Sequence, residues 1–148
     1  MLIRFVISNF LSFNKETEFN MIAGPFKTHR EHIYDLGKVN VLKGTALYGA
    51  NGAGKSNLVK AIEYLQDIVT KGKLPKGTFN KKFKLSPDNG GKPISFEVEF
   101  WINNKFYSYG LSINNNIVTK EWLYELGITK EDKLIFERRL SKSKTPII

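Results

Sequence analysis

The sequence contains no cysteine. That excludes disulfides, thiolate-held zinc, iron–sulfur clusters and cysteine nucleophiles, and it fits a reducing compartment. Long apolar runs are also missing: none approaches the roughly 18 residues that a membrane-spanning helix needs. The opening MLIRFVISNFLSF carries Arg4, Ser8 and Asn9 and lacks a small-residue cleavage site, so it does not read as a signal peptide. A cytoplasmic protein with no membrane partner is the expectation. Disorder is excluded by what is present, 41% hydrophobic and 13% aromatic residues. The 148 residues suffice for one domain that buries about two-thirds of its unfolded surface.

Acidic residues are missing from two stretches, and these account for the net charge of +9. Lys71, Lys73, Lys76, Lys81, Lys82 and Lys84 follow one another without an acid, as do Arg138, Arg139, Lys142 and Lys144. Removing those ten from the 23 basic residues leaves 13 against 14 acidic ones, a neutral remainder. The six lysines are candidate contacts to a polyanion, most plausibly nucleic acid. The alternative is a solvated loop and a frayed terminus.

Periodicity divides the chain into elements. Leu2–Ile7 and Thr17–Ala23 read as a β-hairpin around Ser8–Glu16, Gly24–Lys38 as loop, and Val39–Leu42 and Thr45–Tyr48 as strands. Leu58, Ile62, Leu65 and Val69, widened by Ala61 and Ile68, recur at helical spacing from Ser56 to about Thr70, with Gly72 as the stop. Gly and Pro prevent a long element across residues 71–93. Beyond it, Ile94 to Ile102 and Tyr107 to Ile113 alternate with period 2 about a turn at Asn103-Asn104. Turns at Asn114–Asn116 and Thr129–Asp132 then set off Ile117–Leu126 and Leu134–Arg138. The expected fold is α/β (α+β): residues 1–70 as hairpin, strand and helix, 71–93 as a lysine-rich loop, and 94–140 as an antiparallel meander of three or four strands.

Between the Thr45–Tyr48 stretch and the helix, Gly49-Ala50-Asn51-Gly52-Ala53-Gly54-Lys55-Ser56 matches G-x-x-x-x-G-K-[ST], the phosphate-binding P-loop. Each residue type has a reason. Gly49, Gly52 and Gly54 permit positive φ and close approach, so that backbone N–H groups wrap a phosphate chain. The helix start adds unpaired N–H groups and about half a positive charge. Lys55 reaches the β- and γ-phosphates, and the Ser56 hydroxyl completes a Mg²⁺ shell. Four or five charge-assisted hydrogen bonds of roughly 1.5–3 kcal/mol, less the cost of ordering, suit micromolar binding of a triphosphate at about 8 kcal/mol.

Gly49 to Asn57, followed by Leu58, Ala61 and Ile62, also resembles the Walker A region of ABC-type ATPases of the SMC, RecF and OLD-nuclease group. Asn9-Phe10-Leu11-Ser12-Phe13 stands where that group carries an Asn-Phe-x-Ser-Phe-like segment, with Leu11 at a position that is often basic in break-repair members. The resemblance is specific over Met1–Val69, and the meander is compatible with the antiparallel sheet of the ABC nucleotide-binding lobe. It implies ATP rather than GTP, Mg²⁺, ATP-dependent head-to-tail dimerisation, and work on DNA or in phage defence.

The counterparts of that site are not found in the sequence. No Asp ends an apolar strand as a Walker B residue would; Glu137, after Leu134-Ile135-Phe136, comes nearest and is followed by Arg138. Leu85 to Gly91 only echoes an ABC signature, and the sole glutamine, Gln66, falls in the helix. A P-loop strand normally lies centrally in a parallel sheet, whereas the strands after this helix are hairpin-linked. The expectation is therefore an N-terminal ATP-binding lobe whose catalytic partner is a missing C-terminal lobe or a second subunit.

Other constellations have plainer readings. His29-Arg30-Glu31-His32 suggests a metal site, but in a polar loop it reads as surface residues. Trp101, Tyr107, Tyr109, Trp122 and Tyr124 suit base stacking or ordinary cross-strand packing. Asn80-Lys81-Lys82-Phe83 lacks the Asp of a guanine-specificity motif. The rival functions are a nucleic-acid-binding module with a vestigial P-loop and a small P-loop kinase. Some 48 residues precede the loop, which counts against the kinase.

Overall fold

Strict alternation of apolar and polar side chains makes Leu2–Ser8 the first strand, β1, with Ile3, Phe5 and Ile7 buried on one face. The computed structural model describes residues 1–25, 28–127, 131–140 and the backbone of 146–147. β2 (Thr17–Asn20) pairs antiparallel with β1, closing the expected hairpin. β3 (Ile33–Asp35) and β4 (Asn40–Leu42) form a separate two-stranded hairpin. The sequence assigned 24–38 to loop, yet it holds β3 and a 3₁₀ turn, Arg30–His32. Three residues of Ile-Tyr-Asp are too short to show a period.

The helix α1 (Lys55–Lys71) is followed by the lysine-rich segment, whose regular structure is two 3₁₀ turns, Thr78–Lys81 and Pro87–Asn89. Then come β5 (Ile94–Ile102), β6 (Lys105–Asn114), β7 (Ile117–Leu126), β8 (Lys133–Leu140) and β9 (Pro146–Ile147). The larger sheet has the order β2-β1-β5-β6-β7-β8-β9, and all of its neighbours run antiparallel. Asn103-Asn104 and Asn115-Asn116 take φ of 50°, 61°, 48° and 58°, the left-handed pairs that two-residue hairpins need. Of the third turn, 129–132, residues 129 and 130 lie outside the described residues.

α1 lies on one face of this sheet. Leu58, Ala61, Tyr64, Leu65 and Ile68 pack with Phe5, Ile7, Phe10, Phe96, Leu111 and Ile113 in a single cluster. The buried stripe is turned relative to the sequence expectation, with Tyr64 inside and Val69 exposed. Tyr64 can turn inward because its hydroxyl meets Thr78 Oγ1 at 2.5 Å, which satisfies the polar tip of a buried ring. Phe10 stands 5.0 Å from Tyr64 and 5.1 Å from Phe96 between ring centroids, at tilted and edge-on angles. Gly72, at φ 63°, ends the helix by donating its N–H to Ile68 O.

The opposite face of the sheet is half-exposed and mixes charged with aromatic side chains. Arg4 bridges Glu18, Glu97 and Glu99 there, and Trp122 lies across Gly110, where a Cβ would fall inside the indole.

Thr45–Tyr48 requires a correction. It is expected as a strand but has no ladder partner among the described residues, and Tyr48 is 92% exposed. A strand forms only where a neighbour takes its N–H and C=O groups. Here β4 pairs with β3, and β1 and β5 occupy each other's edges.

Candidate functional site: a phosphate-binding loop at the start of α1

Gly49–Asn57 bridges the unpaired stretch and the packed helix. Gly52 and Gly54 take φ of 82° and 93°, the left-handed values that favour glycine. Gly54 is the N-cap of α1 and has no capping side chain; its carbonyl accepts from the N–H groups of Asn57 and Leu58. Ala53 N–H donates to Ala50 O at 3.2 Å, tightening the loop. The N–H groups of Asn51, Gly52, Gly54, Lys55 and Ser56 meet no protein acceptor among the described residues. Residues Asn51–Asn57 line a shallow cavity of about 270 Å³. Five free donors around it, at the positive end of a 17-residue helix, form an anion cradle.

Lys55 folds back over the loop. Its Nζ donates to Gly49 O at 2.6 Å and Ala50 O at 2.8 Å. An ammonium has three protons, so one is left to direct at a phosphate oxygen. The donor set fits a nucleotide triphosphate: backbone N–H groups and Lys55 for the phosphates, with Ser56 beside them to supply a hydroxyl oxygen to Mg²⁺. Bound there, Mg²⁺ would neutralise phosphate charge.

The Asn9–Phe13 segment supports this loop from below. A Cβ on Gly54 would stand 2.9 Å from Ser12 Oγ, so Ser12 and the helix start are in close approach. Asn9 faces away from the loop. It is buried at φ 52°, donates to the carbonyls of Asn89, Lys92 and Pro93, and accepts from Phe83 N–H. Leu11 N–H donates to Lys81 O at 2.7 Å. The lysine-rich segment is thus tied to the end of β1, and the Leu85–Gly91 echo of a signature motif is one of its structural turns.

The six lysines do not act alike. Lys82 is 7% exposed, and its ammonium donates to Gly90 O and Asn114 Oδ1 at 2.8 Å each. Burial pushes its pKa down. Lys82 is therefore withdrawn from any surface contact, because it ties the segment to the β6–β7 turn. Lys71 pairs with Asp67 one helical turn away, while Lys73, Lys76, Lys81 and Lys84 have exposed or half-exposed side chains. In the second basic stretch, Arg138 pairs with Glu121 across the strands and Arg139 with Glu137 two residues earlier on β8, so both cations are balanced by acids. Lys142 and Lys144 lie outside the described residues.

The register also separates the aromatics. Tyr107 and Tyr109 are on the α1 side, and Trp101, Trp122 and Tyr124 are on the other. Tyr109 donates to Glu121 at 2.6 Å; burial first, and then that acceptor, raise its pKa. Glu137 accepts from Arg139, whose hydrogen bond lowers the carboxyl's pKa. It sits on a hairpin strand, as the sequence suggested. A larger cleft of about 1110 Å³, between the β3–β4 hairpin and the ends of β1 and β5, contains no P-loop residue.

These features define a P-loop nucleotide-binding domain of α/β architecture. A family profile described as "AAA domain, putative AbiEii toxin, Type IV TA system" matches residues 45–147, well over half of the chain, and the protein belongs to this AAA-type ATPase family. The match begins at Thr45, so β1 and the Asn9–Phe13 segment precede it although they complete the core. No curated protein matches the chain. Among the described residues, no helix is long and apolar enough to cross a membrane.

Proposed function

We propose that the chain is the MgATP-binding lobe of an SMC/RecF/OLD-like ABC ATPase. The carrying observation is the cradle of five free N–H groups with Lys55 over it at the start of α1. In this reading Gly49–Ser56 wraps the phosphates, Ser56 orients Mg²⁺, and Asn57 completes the nucleotide-binding stretch in the first turn of α1. Hydrolysis draws its water-orienting carboxylate from a C-terminal lobe or second subunit that also pairs with Thr45–Tyr48. The exposed Leu47 and Tyr48 support that part, since an unpaired apolar stretch beside a phosphate site is costly to leave open. The same reading includes work on DNA or in phage defence, with ATP binding driving dimerisation.

MgATP titration by calorimetry tests the reading. Micromolar binding is expected, and Lys55→Ala should weaken it at least about 100-fold, near 2.7 kcal/mol. Equal binding by both proteins would overturn it.

The second reading, nucleic-acid binding through Lys73, Lys76, Lys81 and Lys84, is favoured by their exposure on a segment that Asn9 holds in shape. Salt-steep DNA binding that survives Lys55→Ala and falls when these four lysines are replaced by Gln would support it.

A further inference from the structure

The 3₁₀ turn before β3 gathers two imidazoles and a carboxylate that the sequence presents only as H-x-x-H. His32 N–H donates to His29 O at 3.0 Å, and this closes a turn in which residues three apart face the same way. Glu31 Oε1 lies 3.1 Å from His29 Nδ1 and 3.5 Å from His32 Nε2. One ligand atom from each residue falls within 4.8 Å of the others. A tetrahedral ion with bonds of about 2.0–2.2 Å spaces its ligand atoms about 3.3–3.6 Å apart, so the 3.5 Å edge already matches, the 3.1 Å edge needs to open slightly, and the third closes by rotation of two exposed rings.

We propose that His29, Glu31 and His32 form a three-ligand site for a Zn²⁺-class cation, with water in the fourth position. The donor set selects the ion: imidazole suits zinc, cobalt, nickel and copper, whereas Mg²⁺ takes oxygen ligands. The site is therefore chemically distinct from the Ser56 hydroxyl and does not depend on the nucleotide reading. Lys43, the cation that follows β4, directs its ammonium to the Tyr34 ring at 4.9 Å rather than into the cluster. A bound ion would fix the β3–β4 hairpin, because Lys43 N–H donates to His32 O at 2.8 Å directly after β4.

The test is calorimetric titration of the tag-free chain with Zn²⁺, alongside Co²⁺ absorption spectra. One ion per chain is expected, with intense tetrahedral Co²⁺ bands. His29→Ala, His32→Ala and Glu31→Ala should each weaken Zn²⁺ binding at least about tenfold. Lys55→Ala should bind Zn²⁺ as the parent does, and a millimolar excess of Mg²⁺ should not compete. All three side chains are exposed, so the variants keep the fold, which circular dichroism verifies. Zn²⁺ binding unchanged in the three variants, no binding by the parent, or weak octahedral Co²⁺ bands would each overturn the proposal.

Discussion

The two ends of the P-loop differ in how they are held. On the helix side, Leu58, Ala61 and Leu65 are packed on the sheet and Gly54 lies against Ser12. On the strand side, Thr45–Tyr48 has no ladder partner among the described residues, and Leu47 and Tyr48 face solvent. The same nine residues thus join a finished core to an unsupported approach. Nucleotide binding as proposed needs mainly the first, since the free N–H groups and Lys55 lie at the helix start. Turnover, in the same proposal, needs what the second would pair with. The two requirements separate experimentally.

Phe96→Ala, at the centre of the packed side, should cost about 3–5 kcal/mol and unfold a marginal domain, as followed by urea denaturation. Asn9→Ala removes three donated bonds and leaves Phe83 N–H unsatisfied. A loss of about 1–3 kcal/mol is expected, with faster proteolysis within residues 71–93. Ser56→Ala should leave stability within about 0.5 kcal/mol while making ATP affinity insensitive to Mg²⁺, measured by titration with and without EDTA. Tyr48→Ser should change stability least, within about 0.5 kcal/mol, because a ring so exposed has little contact to lose. A large loss from Tyr48→Ser would mean that the approach is packed after all, and the comparison would fail.

Local chemistry explains which parts of this were legible in the sequence. The β5–β6 alternation, the Asn pairs in the hairpin turns and the helix with its Gly72 stop are encoded by neighbouring residues, and the structure reproduces these elements. Thr45–Tyr48 was misread because its apolar content satisfies a strand pattern, while strand formation depends on a partner elsewhere. Lys82 was counted with its neighbours because nothing local reveals that Gly90 and Asn114 surround its ammonium. The basic character of Arg138 and Arg139 was overstated for the same reason, since their acids come from Glu121 and Glu137 across and along the strands. The role of Asn9 had one usable signal, an Asn at the end of an alternating strand, where left-handed φ is tolerated.

Amide hydrogen exchange with and without MgATP tests the central claim most directly. The account predicts strong protection in β5, β6 and the body of α1 at all times, rapid exchange over Thr45–Tyr48, and new protection at Asn51–Ser56 on MgATP addition that Lys55→Ala abolishes. Protection of Thr45–Tyr48 in the chain alone, or no MgATP-dependent change at Asn51–Ser56, would contradict it.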